Sequence, residues 1–137
     1  MQIITINTDG GARGNPGPAA IGVVMKAGDW SFEYSEYIGD TTNNVAEYTA
    51  VLRALEFIRD GKCTPPEFTQ IQFMLDSELV VRQIMGIYKV RDTTLQGIYQ
   101  LIQTILHSQP FTATFTHVPR AQNKRADLLV NFALDSI

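Results

Sequence analysis

Residues 2–17 read QIITINTDGGARGNPG, an Ile- and Thr-rich run that ends on an acid and two glycines. β-branched residues favour a pleated strand and Asp-Gly-Gly favours a break, so Gln2 to Thr8 is expected as a strand and Gly10 to Gly17 as a loop. Outward from there, Ile21 to Ala27 and Ser31 to Ile38 alternate as two further strands around a turn at Gly28-Asp29, giving an antiparallel meander. A helix capped by Asn43 or Asn44 continues in apolar 3.6-residue spacing to about Ile58, and Asp60-Gly61 and Pro65-Pro66 stop it. Ile71 to Leu75 is nearly continuous in apolar residues, the pattern of a strand buried on both faces, and it ends at Asp76. Helical spacing covers Ser77 to Met85 and Leu95 to His107, Thr112 to His117 alternates as a fifth strand, and a last helix runs from about Gln122 to Leu134. The order βββαβααβα, without repeats or linker-like tracts, predicts one α/β domain over residues 1–137 built on a five-stranded mixed sheet flanked by helices.

The bulk numbers narrow the function classes. In a chain of 137 residues, 45% apolar and 18% charged, no run of eighteen apolar residues occurs, so no membrane partner is expected. Met1 to Asp9 lacks the basic segment, apolar stretch and cleavage site of a secretory signal, and the lone Cys63 can form neither an internal disulfide nor a cysteine metal site; both suit a reducing cytoplasm. The net charge of −3 runs against nucleic-acid binding, which ordinarily needs a basic surplus. Carboxylates that hold divalent cations would reverse that sign locally.

Four acids invite that reading, each with a plain alternative. Asp9 stands at a strand end and serves equally as a turn former. Glu47 follows Asn44 by three residues, as in a capping box. At about 100° per residue, however, Val51, Ala54 and Ile58 fall within roughly 40° of Glu47 and Thr49, Arg53, Glu56 and Asp60 lie opposite, so Glu47 heads the buried stripe. A carboxylate aimed at a sheet is costly unless protonated, paired or bound to a cation. Asp76 closes a strand, where ligand sites form, yet can cap the helix that follows. Asp127 shares a helix face with Lys124, Asn131 and Asp135, which on its own describes solvated surface.

Taken together, Thr8-Asp9-Gly10-Gly11-Ala12-Arg13-Gly14-Asn15-Pro16-Gly17, Thr42-Asn43-Asn44-Val45-Ala46-Glu47, Asp76-Ser77 and Asn123-Lys124-Arg125-Ala126-Asp127 resemble type 1 ribonuclease H across nearly the whole chain. The resemblance implies a ribonuclease H-like fold and an endonuclease that hydrolyses the RNA strand of RNA/DNA hybrids, leaving 5′-phosphate and 3′-hydroxyl ends. It assigns Asp9, Glu47, Asp76 and Asp127 as catalytic metal ligands. Hybrid contact falls to Gly10, Gly11, Ala12, Arg13, Asn15, Thr42, Asn43, Asn44 and Ser77. Hard oxygen ligands suit two Mg²⁺ ions, or Mn²⁺, and such a pair activates water and stabilises the departing oxygen without a covalent intermediate. The ribose 2′-hydroxyl is the physical basis for choosing the RNA strand.

The departures from the family pattern are equally specific. His117 aligns either with the family's proton-shuttle histidine or, with a shortened loop, as a structural residue at a strand end, leaving no shuttle. Asp40 and Glu78 stand where members often carry basic or amide side chains, and Gly86 to Thr94, with only Lys89 and Arg91, replaces the basic handle. No N-terminal hybrid-binding domain is read. Modest, salt-sensitive affinity follows. A monomer without an obligate protein partner is expected. Trp30, Phe32, Tyr34 and Tyr37 read as packing residues. The rivals are a nuclease of double-stranded RNA and a binding module that has lost catalysis.

Overall fold

The computed structural model describes residues 2–137. Five strands, β1 (Gln2–Ala12), β2 (Gly17–Ala27), β3 (Trp30–Thr41), β4 (Phe68–Leu75) and β5 (Thr112–His117), form one sheet in the order β3-β2-β1-β4-β5. β1, β2 and β3 are an antiparallel meander, whereas β4 lies parallel to both β1 and β5. Helices α1 (Asn43–Arg59), α2 (Glu78–Ile84), α3 (Thr93–Ser108) and α4 (Lys124–Asp135) complete the chain. The expected order and mixed sheet are both present.

Side-chain alternation along each strand sorts the core into two layers. Ile4 and Ile6 of β1, Val23 and Met25 of β2, and Ile71, Phe73 and Leu75 of β4 pack with Tyr48, Val51 and Leu55 of α1, Val80 and Ile84 of α2 and Ile102 of α3. On the other face, α4 covers Ala20 and Val24 of β2 with Ala126, Leu129, Val130, Ala133 and Leu134. Trp30, Phe32 and Tyr34 pack against the first layer, and Phe32 and Tyr34 meet Phe57 edge-on, while Tyr37 stays exposed.

Several local expectations change. β1 continues through Ala12, because Gly10, Gly11 and Ala12 pair with Ile21, Ala20 and Ala19, so only residues 13–16 remain as loop. The strand covered on both faces is β2, not β4. α4 crosses β1, β2 and β3 and leaves Gln72 and Met74 of β4 half-buried. α1 is capped by Thr42, whose Oγ1 accepts from the Val45 N–H at 3.2 Å, and α2 by Ser77, whose Oγ accepts from Val80 at 3.3 Å. Glu47 therefore lies beyond the first turn and forms no capping box, and Asp76 is released from any capping duty. A 3₁₀ turn over Arg120–Gln122 precedes α4, which starts two residues later than its spacing suggests. Gly28, at φ 59°, makes the tight β2–β3 turn.

Candidate active site

Two close approaches, one on each face of the sheet, bring the acids together. Gly10 points at α1: a Cβ there would overlap the Ala46 carbonyl and the Glu47 N–H, so the absence of a side chain seats the helix directly on β1. Gly22 points at α4, where a Cβ would overlap the Ala126 carbonyl and crowd Leu129. Gly22 is also the cross-strand partner of Asp9. Closing α4 onto Gly22 therefore delivers Asp127, the residue after Ala126, beside Asp9.

β4 supplies the fourth acid. The parallel ladder pairs Ile6 with Phe73 and Asn7 with Met74, and the same register two residues further sets Asp76 alongside Asp9. β4 ends at Leu75, but β1 runs on to Ala12. Past that point β1 has no neighbour on its β4 side, and a cleft of about 450 Å³ opens. Asp9, Gly10, Gly11, Ala12, Arg13, Asn43, Glu47, Asp76, Ser77 and Asp127 border it, as does Arg120, which the sequence reading passed over. A larger cavity of about 800 Å³ between residues 86–90 and α3 carries no acid and stands apart from this chemistry.

Oxygen atoms of Asp9, Glu47 and Asp76 lie within 4.8 Å of one another. Asp9 and Glu47 are only 7% and 8% exposed, while Asp76 and Asp127 are half-buried. Burial first, then the charges of Asp76 and Asp127, push the Asp9 carboxyl up to about 7. Glu47 is pushed well above the usual carboxylate range by burial, then by Asp9 and Asp76, and the Gly10 N–H offsets only part of this. Its Oε2 is buried without a hydrogen-bond partner among the described residues. Gathered hard oxygen donors with an orphaned buried oxygen among them fit a divalent cation of the Mg²⁺ or Mn²⁺ type.

Asn123 holds this arrangement from beneath and was also missed as a site residue. It is 1% exposed; its Nδ2 donates to the Thr8 carbonyl at 2.9 Å and, more weakly, to Asp76 Oδ2 at 3.5 Å, and its Oδ1 accepts from Asn7 at 3.0 Å. Only its place before the last helix hinted at this.

The remaining residues of the implied contact surface form an adjoining cleft. Asn15, Thr42, Asn43 and Asn44 line a space of about 510 Å³ that shares Asn43 with the acidic cleft and also contains Asp92. Asn15 Oδ1 accepts from the Asn43 N–H at 3.0 Å, and Asn43 Oδ1 accepts from the Ala12 N–H at 2.8 Å. This clasp ties the β1–β2 hairpin to the start of α1. His117 ends β5 with Nδ1 3.8 Å from Glu78 Oε2 and does not border the acidic cleft. Residues 85–92, between α2 and α3, are a short connection with no basic handle.

Sheet order, the α4 crossing and the position of the acids together make this a ribonuclease H-like domain. A family model described as "Reverse transcriptase-like" matches residues 7–133. The chain is 42% identical over 129 residues to the ribonuclease HI of Halobacterium salinarum, a match covering 93% of this chain and 62% of that protein. It is 39% identical over 137 residues to a bifunctional protein of Mycobacterium tuberculosis, covering 97% of this chain and 36% of that protein. The crystal structure of LC11-RNase H1 in complex with an RNA/DNA hybrid superimposes with a TM-score of 0.88 at 47% identity, covering 97% of each chain. The chain belongs to the type 1 ribonuclease H family. It spans about three fifths of the length of the Halobacterium relative and about a third of the mycobacterial one.

Proposed function

We propose that this chain is a ribonuclease H, an endonuclease that hydrolyses the RNA strand of RNA/DNA hybrids to 5′-phosphate and 3′-hydroxyl ends through a single catalytic domain. The observation that carries the reading is the meeting of Asp9, Glu47 and Asp76 within 4.8 Å, with a partnerless Glu47 oxygen, beside an amide-lined groove. The hybrid-bound relative at 47% identity supports the same substrate.

Asp9, Glu47, Asp76 and Asp127 would hold Mg²⁺ or Mn²⁺. Two divalent cations bound there would supply Lewis acidity for the attacking water and the departing 3′-oxygen. The chain's own residues do the rest. Asp9 and Glu47 are almost wholly buried, where a bound cation would offset the burial and repulsion that disfavour their charged forms. Asn15 and Asn43, which line the groove, use Oδ1 internally and keep Nδ2 to donate, and the Ser77 hydroxyl, which accepts from Val80, keeps its hydrogen to donate. Such donors distinguish a ribose carrying a 2′-hydroxyl from one without. Arg120, which borders the cleft, would offer its guanidinium to a phosphate.

The test is cleavage of one sequence presented as RNA/DNA, RNA/RNA and DNA/DNA duplexes with Mg²⁺, Mn²⁺ or EDTA, using wild type and Asp76→Asn. Metal-dependent loss of the RNA strand from the hybrid, abolished by the substitution, is expected. Hybrid binding without cleavage under either metal would favour a non-catalytic module. Equal cutting of RNA/RNA would broaden the substrate to double-stranded RNA.

A further inference from the structure

The cations around the acidic cleft are few and, in one case, already engaged. Among the described residues bordering it, only Arg13 and Arg120 carry positive charge. Arg13, in the β1–β2 connection, donates from Nη2 to Asp135 Oδ1 at 2.6 Å and to Asn131 Oδ1 at 3.3 Å. Asp135 is the last residue of α4, and Asn131, one turn earlier, is anchored through its Nδ2 to the Asp127 carbonyl at 3.1 Å. The guanidinium is thus pinned at the rim of the cleft by the helix that carries Asp127. Arg125 and Arg53 do not border the cleft and are paired elsewhere, Arg125 with Glu33 and Arg53 with Glu36 and Glu56.

A guanidinium is always charged and its planar fork matches two phosphate oxygens, whereas a pair as exposed as this one, at 48% and 67%, adds little to fold stability. An exposed ion pair at the mouth of a phosphate-binding cleft is therefore easily exchanged for a phosphate. We infer that Arg13 is a phosphate contact for the nucleic-acid backbone and that Asp135 competes for it, so this one carboxylate sets substrate affinity. The hybrid gains the Arg13 contact only by displacing Asp135. The inference rests on the nuclease reading above.

The experiment compares wild type, Asp135→Asn, Arg13→Ala and the double variant in hybrid cleavage with Mg²⁺ over a range of salt. Hybrid binding is followed in parallel by fluorescence anisotropy, with the same substitutions placed in an Asp76→Asn background. Asp135→Asn is expected to lower KM and Kd about three-fold at low salt with kcat unchanged. Arg13→Ala should raise both constants and reduce the slope of log Kd against log salt by about one. The double variant should match Arg13→Ala. A purely structural pair would move both single variants in the same direction, since either substitution breaks it. Same-signed effects, no effect of Asp135→Asn, or a gain that survives in the double variant would overturn the inference. Absence of cleavage by wild type overturns the nuclease reading alone, because opposite-signed shifts in hybrid binding would still support the Arg13–Asp135 exchange.

Discussion

Replacing Asp9 with Asn should stabilise the metal-free protein at alkaline pH while removing a proposed metal ligand. Asp9 is raised from an ordinary 3.8 to about 7, first by burial and then by the charges of Asp76 and Asp127. An acid whose folded-state pKa is raised contributes its stability in full below the unfolded value near 4. That contribution is lost as pH climbs from about 4 to about 7, and above 7 the ionised group is a standing cost. About three pH units at ~1.4 kcal/mol each give an upper bound of ~4 kcal/mol. Glu47 and Asp76 still repel one another in the variant, and the hydrogen bond by which Glu47 favours the ionised Asp9 is altered with it, so the part recovered by altering Asp9 alone is nearer ~2 kcal/mol. In a domain of this size that corresponds to a rise in Tm of roughly 5–10 °C. The assay is thermal unfolding followed by circular dichroism in EDTA at pH 5 and pH 8. Asp9→Asn should melt above wild type at pH 8, and by only about a third of that margin at pH 5, which lies about one unit into the three-unit window. Mg²⁺ should raise the wild-type Tm at pH 8 and leave the variant nearly unmoved, because ligand binding to the folded state stabilises only a protein that keeps the site. A variant that is folded yet melts at or below wild type in EDTA at pH 8 would refute the claim that burial and the neighbouring Asp76 and Asp127 disfavour the ionised Asp9.

Gly22→Ala should push α4 off β2, costing about 2 kcal/mol or more by overpacking and depressing kcat through Asp127; urea unfolding and hybrid cleavage check the two effects together. Tyr48→Phe removes the 2.6 Å hydrogen bond to Gln83 Oε1 that joins α1 to α2 inside the core, for an expected loss of ~1–2 kcal/mol in urea unfolding with cleavage retained. Asn123→Ala leaves the Thr8 carbonyl buried without its donor and frees Asp76, so kcat should fall more than KM rises, alongside ~2 kcal/mol of lost stability measured by denaturant titration.

The legibility of the fold and site in the sequence depended on how local each feature is. Strand alternation and helical spacing are local, and they reproduced the element order and the core-facing side of α1, including Glu47. Capping was read one or two residues late, because Thr42, Asn43 and Asn44 are all competent caps and only the backbone geometry chooses Thr42. The glycines misled for a different reason. Gly10 looked like the start of a loop and Gly22 like an unremarked strand residue, yet both are there because a helix backbone comes within contact distance. Nothing local reports such an approach. Asp127 sits on a polar helix face, and no wheel can tell solvent from an acid-lined cleft. Asn123 and Arg120 were missed likewise, since the burial of one and the outlook of the other are set by where α4 lands. β4 appeared doubly covered because its residues are apolar, but the helix that would cover its second face lies over β2 instead.

The bond from Asn123 to the Thr8 carbonyl spans 115 positions of sequence. The β1–β2–β3 meander closes through short turns, but Asp9 meets Asp76 only after the β1–β4 crossover has formed, and meets Asp127 only when α4 docks. High contact order of this kind makes the last closures slow relative to hairpin formation. During synthesis, a nascent chain can already hold a well-formed meander while its acidic cluster does not exist. The proposed hybrid cleavage would thus be a late reporter of folding, and in a refolding experiment its recovery should lag behind the return of β-sheet signal.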